Sequence, residues 1–256
     1  MKRYLLTISY EGTNYCGWQR QLRGISVQQK VEEALATSLQ APIVLKAASR
    51  TDKGVHALCQ CAQFDAETTI PAHKFPLVFN PLLPKDIRVV KGQEVSMEFS
   101  ARYMPVQKTY TYRIHNASYA SAMFRNVTAH IPVKMDVSIM HEAAQCLVGT
   151  HDFGAFCSIR SNAKSTIRRI DTISVTRDGN YVIIKVQGKS FLYNMVRIIA
   201  GALIEIGQGK RKKECLQIAL QTKNRLVLGV TAPAEGLELT KIFYGDYLPE
   251  ETDQRG

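Results

Sequence analysis

Twice along this chain the spacing of apolar residues changes in the same order, and that order restricts the fold more than any single motif. In the first half, residues 4–10 alternate as a strand. Val27, Val31, Ala34, Leu35 and Leu39 then recur at helical spacing behind Ser26 and Gln29, the pair of a capping box. Ala41-Pro42 stops that helix. Strands follow over 43–47 and 58–65, a short helix opens at Pro71 and runs through Phe75 and Phe79, and a strand over 87–90 closes the half. Pro105 separates the halves. The second half begins with a strand over 107–115. Asp136 caps a helix lined by Met140, Ala143, Ala144, Leu147 and Val148, which ends at Gly149. Strands over 167–176 and 181–186 form a hairpin centred on Asp178-Gly179. A strongly apolar helix over 191–206, with Ser190 as its cap, precedes a shorter helix around 213–222 and a strand over 239–244.

With the shorter helix around 213–222 set aside, each half thus reads β-α-β-β-α-β, the order of a ferredoxin-like, RRM-like unit in the α+β class. Two such sheets placed edge to edge would form one extended antiparallel sheet with helices on one side and a central cleft. The division that follows is 1–104, an α/β half; 105–247, a second α/β half completing the cleft; and a tail, 248–256.

The chain has 256 residues and a net charge of +11, with 45% apolar and 21% charged residues. Apolar and charged content are ordinary for a globular protein. The positive excess is not, and it favours a polyanionic partner. No basic amphipathic helix with a wide apolar face suggests a membrane surface, and no apolar run approaches the roughly 20 residues that span a bilayer. Six cysteines in a chain of this length, without a signal-peptide pattern, read as free thiols in a reducing cytoplasm. Cys59 and Cys61 alternate in a strand and there is no C-x-x-C pair, so a structural zinc site is not expected.

One polar stretch, Ser49-Arg-Thr-Asp-Lys-Gly-Val-His-Ala57, lies between two strand-like runs. Its residue types fit a charged surface turn and an active-site loop about equally. Arg50 and Asp52 alternate, so in extended chain they share a face. Arg197 stands in the apolar helix, where a guanidinium needs a carboxylate partner or an exposed face; Asp52 is the partner the sequence offers. Tyr110 and Tyr112 share a strand face, one suited to stacking on a base and the other to the core. The single tryptophan, Trp18, is a packing anchor or the wall of a base-binding cleft. Basic residues suited to a phosphate backbone include Arg20, Arg23, Lys53, Lys108, Arg160, Lys164, Arg168, Arg169 and the run Lys210-Arg211-Lys212-Lys213. His151-Asp152 near Ser158 suggests a hydrolase triad, but no nucleophile elbow accompanies it.

The motifs of the chain, taken together, resemble the TruA-type tRNA pseudouridine synthases. Tyr10-Glu-Gly-Thr-Asn-Tyr-Cys-Gly-Trp-Gln19 is similar to that family's opening motif, and Ser49 to Ala57 to its catalytic loop, G-R-T-D-x-G-V-H-A. Asn80 to Pro84, Phe99 to Arg102, Lys108 to Tyr112, Gly149 to Phe153, Phe191 to Arg197 and Ala232 to Leu237 follow in family order. The resemblance implies that Asp52 is the catalytic carboxylate and that Arg50, Tyr110 and Arg197 bind the substrate. It also implies a homodimer, without cofactor or metal, acting on the anticodon stem-loop of tRNA at positions 38, 39 and 40. Ser49 departs from the family's glycine, and Lys108 stands where arginine is common. The alternative is a non-catalytic tRNA-binding module on the same scaffold.

Overall fold

The structure is a computed structural model and describes residues 1–158 and 164–248. In chain order its elements are β1 (Lys2–Tyr10), α1 (Val27–Leu39), β2 (Lys46–Ala47), β3 (His56–Ala66), α2 (Phe75–Phe79), β4 (Ile87–Val95), β5 (Gln107–His115), β6 (Ala129–His130), α3 (Val137–Ala144), β7 (Gly149–Asp152), β8 (Ile167–Ile170), β9 (Thr172–Asp178), β10 (Tyr181–Gly188), α4 (Met195–Gly207), α5 (Cys215–Thr222) and β11 (Leu237–Phe243). The fold is of the α+β class with mostly antiparallel pairing. Two compact units divide it: Met1–Lys108 with the chain from Leu239, and Thr109–Glu238. The backbone passes from one to the other within β5 and returns within β11.

In the first unit the strand order is β4-β1-β3-β11, and β2 also pairs with β3. The four strands of its β-α-β-β-α-β run take the 4-1-3-2 places of a ferredoxin-like sheet. β1 is central, so its alternate residues Tyr4, Leu6 and Ile8 are buried. α2 lays Phe75 and Phe79 over that face, and the rings of Tyr4, Phe64, Phe75 and Phe79 form a chain with centroids 5.0–6.0 Å apart. Aromatic pairs at this spacing add to the stabilisation from area alone. Ser26 Oγ accepts from the Gln29 N–H at 3.2 Å, as the capping signal requires. The strand expected over 43–47 survives only as Lys46–Ala47. Helix side chains take the place of a strand partner there. The Leu45 N–H donates to Glu32 Oε1 at 3.0 Å, and Gln28 Nε2 donates to the Leu45 carbonyl at 3.2 Å.

In the second unit the order is β5-β10-β9, with β6 parallel on β5. Asp136 caps α3, accepting from the N–H groups of Ser138 and Ile139 at 2.9 and 3.2 Å. Three boundaries differ from expectation. Gly149 does not end α3, which stops at Ala144 and continues as a single 3-10 turn; it opens β7 instead. The strand expected over 167–176 is two. β8 pairs with β7 in a separate two-stranded sheet, and at Asp171 the chain turns to β10, its N–H donating to the Gln187 carbonyl at 2.8 Å. The hairpin loop is Gly179-Asn180, one residue later than expected, because Tyr181 pairs with Asp178. That register buries Val182, Ile184 and Val186 on one face with Ile173 and Val175.

The apolar helix begins at Met195, not 191, and its cap is Asn194 in the left-handed region (φ 61°) rather than Ser190. Phe191 is outside the helix and packs edge-on against Tyr110, with centroids 5.1 Å apart. Of the 13 residues of α4, only Arg197 and Glu205 are not buried, the pattern of a helix enclosed on nearly every side. All six cysteines are free thiols. Among the described residues no helix is long and apolar enough to cross a membrane.

Candidate active site

The stretch from Ala48 to Ala57 belongs to the first unit, and its backbone is held at Ala48, Ser49, Thr51, Asp52 and Val55. On the entry side, the Ala48 N–H donates to the Cys61 carbonyl at 2.8 Å, and Lys108 Nζ donates to the Ala48 carbonyl at 2.6 Å. Gln60, fully buried on β3, serves Ser49 twice: its Oε1 accepts the Ser49 N–H at 3.2 Å, and its Nε2 donates to the Ser49 carbonyl at 2.9 Å. Ser49 is not among the residues of positive φ, so the serine fits where the family has glycine without backbone strain.

Thr51 is clamped from two directions. Its hydroxyl shares a 2.7 Å hydrogen bond with the Tyr10 hydroxyl, and its carbonyl accepts the Trp18 N–H at 3.1 Å. Tyr10 and Trp18 are both buried and their rings lie 5.9 Å apart. Trp18 is therefore a packing anchor, and the segment from Tyr10 to Trp18 is the buttress of the loop. Gly12 lies flat against the loop's exit. Its N–H donates to His56 Nδ1 at 2.9 Å, and a Cβ on Gly12 would fall 2.0 Å from the Val55 carbonyl oxygen. His56 thus points into the scaffold with that nitrogen. Behind Trp18, Gln28 Oε1 accepts from Gln19 Nε2 and the Arg20 N–H, while Glu32 Oε2 pairs with Arg20 at 3.1 Å.

Between the anchored ends the chain makes one tight turn. The Val55 N–H donates to the Asp52 carbonyl at 3.1 Å, with Lys53 and Gly54 in the middle. Only Gly54 has positive φ (77°), as the third residue of a type II turn demands. Arg50 and Lys53 are exposed and Asp52 is half-buried. The loop therefore offers a carboxylate and two cations from a rigid frame, the arrangement preorganised catalysis needs.

The second unit carries the other expected residues. Tyr112 is fully buried in the core, its hydroxyl donating to the Pro233 carbonyl at 2.9 Å, while Tyr110 keeps 7% exposure. Arg197 is half-buried. Its Nε donates to the Ala232 carbonyl at 2.9 Å and its Nη1 to Asn194 Oδ1 at 3.0 Å, while its own carbonyl accepts the Ala232 N–H at 3.0 Å. These bonds fix the guanidinium and tie the segment from Ala232 to Leu237 to α4.

Of the basic residues, Arg211 pairs with Glu205 at 2.7 Å and donates to the Val227 carbonyl, a structural role. Arg169 pairs with Asp171 at 2.9 Å. Arg168 donates to the carbonyls of Ser165 and Ile167, and its burial lowers the guanidinium's pKa. Lys53 and Lys210 are exposed. Arg160 lies outside the described residues. The triad suggested by His151-Asp152 does not form: His151 Nε2 lies 2.9 Å from the Val148 carbonyl, and Asp152 bonds to Lys223, Thr166 and the Gly154 N–H. Among the described residues no group of three or more His, Cys, Asp or Glu could hold a metal ion.

Residue reading missed Tyr10, Thr51 and Gln60 as supports of the loop. Gln60 had a signal, a polar residue in the middle of an apolar strand; the other two had none.

A ferredoxin-like α+β frame presents a half-buried carboxylate between exposed basic residues, and comparison with known proteins gives the class and the family. Residues 6–104 and 143–245 match the family described as tRNA pseudouridine synthase. The tRNA pseudouridine synthase A 2 of Clostridium tetani is 44% identical over 241 residues, covering 93% of this chain and 97% of that protein. The tRNA pseudouridine synthase A of Acetivibrio thermocellus is 43% identical over 244 residues, covering 95% of this chain and all of that protein. A solved structure, a Cbf5-Nop10-Gar1 complex, aligns with a TM-score of 0.38 and 13% identity over 94% of this chain and 50% of that one, too slight a likeness to carry an argument. The chain belongs to the tRNA pseudouridine synthase family and is an enzyme of the isomerase class.

Proposed function

We propose that this protein isomerises uridine to pseudouridine in the anticodon stem-loop of tRNA, at positions 38, 39 and 40, with Asp52 as the catalytic carboxylate. Arg50, Tyr110 and Arg197 bind the substrate, and exposed basic residues such as Lys53 and Lys210 follow its phosphates. The observation that carries this reading is the loop itself: Ala48, Ser49 and Thr51 are held by buried partners, and the half-buried Asp52 follows directly.

The reaction needs no oxidant, reductant or group donor. The bond from N1 to C1′ breaks, the uracil turns, C5 joins C1′, the C5 proton leaves and N1 gains one. An ionised aspartate has three routes into this sequence: attack at C1′, attack at C6, or removal of the C2′ proton. All three need an unprotonated oxygen. The target base must leave the stem first, at a cost of a few kcal/mol, which cationic contacts and stacking offset. The resemblance further supports a homodimer working in the cytoplasm.

Asp52→Asn is the test. With tRNA transcripts, pseudouridine formation should fall by about 100-fold or more while tRNA binding survives. Near-normal turnover in the variant would remove Asp52 from the chemistry. A non-catalytic binder would instead form no pseudouridine as wild type and give the same tRNA effects with and without the substitution.

A further inference from the structure

Arg197, Gly201 and Glu205 stand at i, i+4 and i+8 on α4 and so form one stripe of that helix. The chain over 227–232 lies along the stripe. Gly201 makes room for it: a Cβ there would fall 2.0 Å from the Val230 carbonyl oxygen. Arg197 holds one end of this strap, its Nε donating to the Ala232 carbonyl at 2.9 Å and its own carbonyl accepting the Ala232 N–H at 3.0 Å. Glu205 holds the other. Its Oε2 lies 2.7 Å from both Nε and Nη2 of Arg211, and its Oε1 accepts the Val230 N–H at 3.5 Å.

Two arginines complete the attachment. Arg211 Nη1 donates to the Val227 carbonyl at 2.7 Å, and Arg225 donates to the Gly229 carbonyl at 2.7 Å and to the Thr231 hydroxyl oxygen at 3.1 Å. Gly229 brings the backbone flush against the ion pair: its φ is 70°, and a Cβ there would fall 2.3 Å from Glu205 Oε2. The acid of the stripe thus neutralises Arg211, two turns from Arg197. The Arg197 guanidinium is directed by neutral oxygens, those of Ala232 and Asn194. A neutral acceptor sets the plane of a guanidinium without cancelling its charge, and a charged, fixed fork is what grips an anionic ligand.

We propose that Glu205 is a positioning residue for the reaction: with Arg211 it pins the strap over 227–231, the strap fixes the Ala232 carbonyl, and that carbonyl aims the substrate-binding guanidinium of Arg197. The inference rests on the reading of Arg197 as a substrate-binding residue, and it adds to that reading the ion pair that holds the arginine in place. Glu205 touches no substrate itself. Its effect on turnover therefore passes through Arg197, whereas its effect on stability does not.

The experiment is a double-mutant cycle on the full chain, read both as kcat/KM for pseudouridine formation in a tRNA transcript and as the midpoint of thermal unfolding. Its corners are wild type, Glu205→Gln, Arg197→Lys and the double variant. Arg197→Lys keeps a cation but removes the planar fork that Ala232 aims. Glu205→Gln should lower kcat/KM by about ten-fold when Arg197 is present and by less than about two-fold when lysine replaces it. The fall in unfolding temperature caused by Glu205→Gln should be the same in both backgrounds. If Glu205→Gln does not fold, Arg211→Lys, which loses the fork between Glu205 and the Val227 carbonyl, takes its place in the cycle. Normal kcat/KM in Glu205→Gln, or an equal loss in both backgrounds, would overturn the positioning role and leave Arg197 as proposed. Normal kcat/KM in Arg197→Lys would overturn it as well, since the fork would then not matter. A wild type that forms no pseudouridine overturns the proposed function instead.

Discussion

At the scale of single residues, Asp152 shows how a side chain that resembles catalytic machinery can be a joint. Its carboxylate takes the Lys223 ammonium at 2.6 Å, the Thr166 hydroxyl at 2.5 Å and the Gly154 N–H at 3.0 Å. Lys223 first and Thr166 second hold its pKa down to about 2. An unfolded aspartate titrates near 3.9. A depressed folded value means the bonds stabilise fully above that unfolded value and are lost as pH falls towards about 2. Asp152→Asn should therefore destabilise at pH 7, by no more than about 1 kcal/mol because solvent screens so open a pair. In thermal melts the gap to wild type should narrow between pH 5 and pH 3; a gap independent of pH would show that the charge is not what stabilises. Tyr110 and Arg197 illustrate a different lesson. Their strand and helix were readable from spacing, but nothing in the sequence announced that Phe191 would leave the helix to pack on Tyr110, or that Asn194 and Ala232 would anchor the guanidinium.

Among the elements, β1 and the segment after it do the most to shape the site. β1 runs through the middle of its sheet and delivers Tyr10 to Thr51. The turn that follows delivers Gly12 to the backbone of Val55 and His56. Gly12→Ala would drive a methyl to within 2.0 Å of the Val55 carbonyl oxygen unless the loop moved. A shift of about 1 Å in a catalytic group costs on the order of 100-fold in rate. Pseudouridine formation should fall by about that factor while the far-ultraviolet circular dichroism stays that of a folded protein. Normal turnover in this variant would mean the loop's position is not set by β1 and its turn. Strand and helix cores were legible because alternate burial and helical stripes follow from backbone geometry. Boundaries were less so, for local reasons: side chains of α1 satisfy Leu45 in place of a strand, and β8 leaves the main run to pair with β7.

For the whole molecule, the relevant quantity is the net charge of +11. Arg211, Arg169 and Lys213 pair with acids, so part of that charge is already spoken for. The exposed remainder should make tRNA affinity fall linearly with log salt, with a slope set by the number of phosphates neutralised. A flat dependence between about 50 and 200 mM salt would be inconsistent with phosphate contacts as the main source of affinity.

The sequence by itself determined the α+β class, the β-α-β-β-α-β order and the family, because periodicity and motif order are written locally along the chain. It also marked the stretch from Ser49 to Ala57 as the place to look. Only the tertiary structure decided that this stretch is held on a hydrogen-bonded frame and is not a loose charged turn. The groups that hold it, Tyr10, Gly12, Trp18, Gln60 and Lys108, come from three separate regions of the chain, and hydrogen bonds between distant segments leave no periodic trace in sequence.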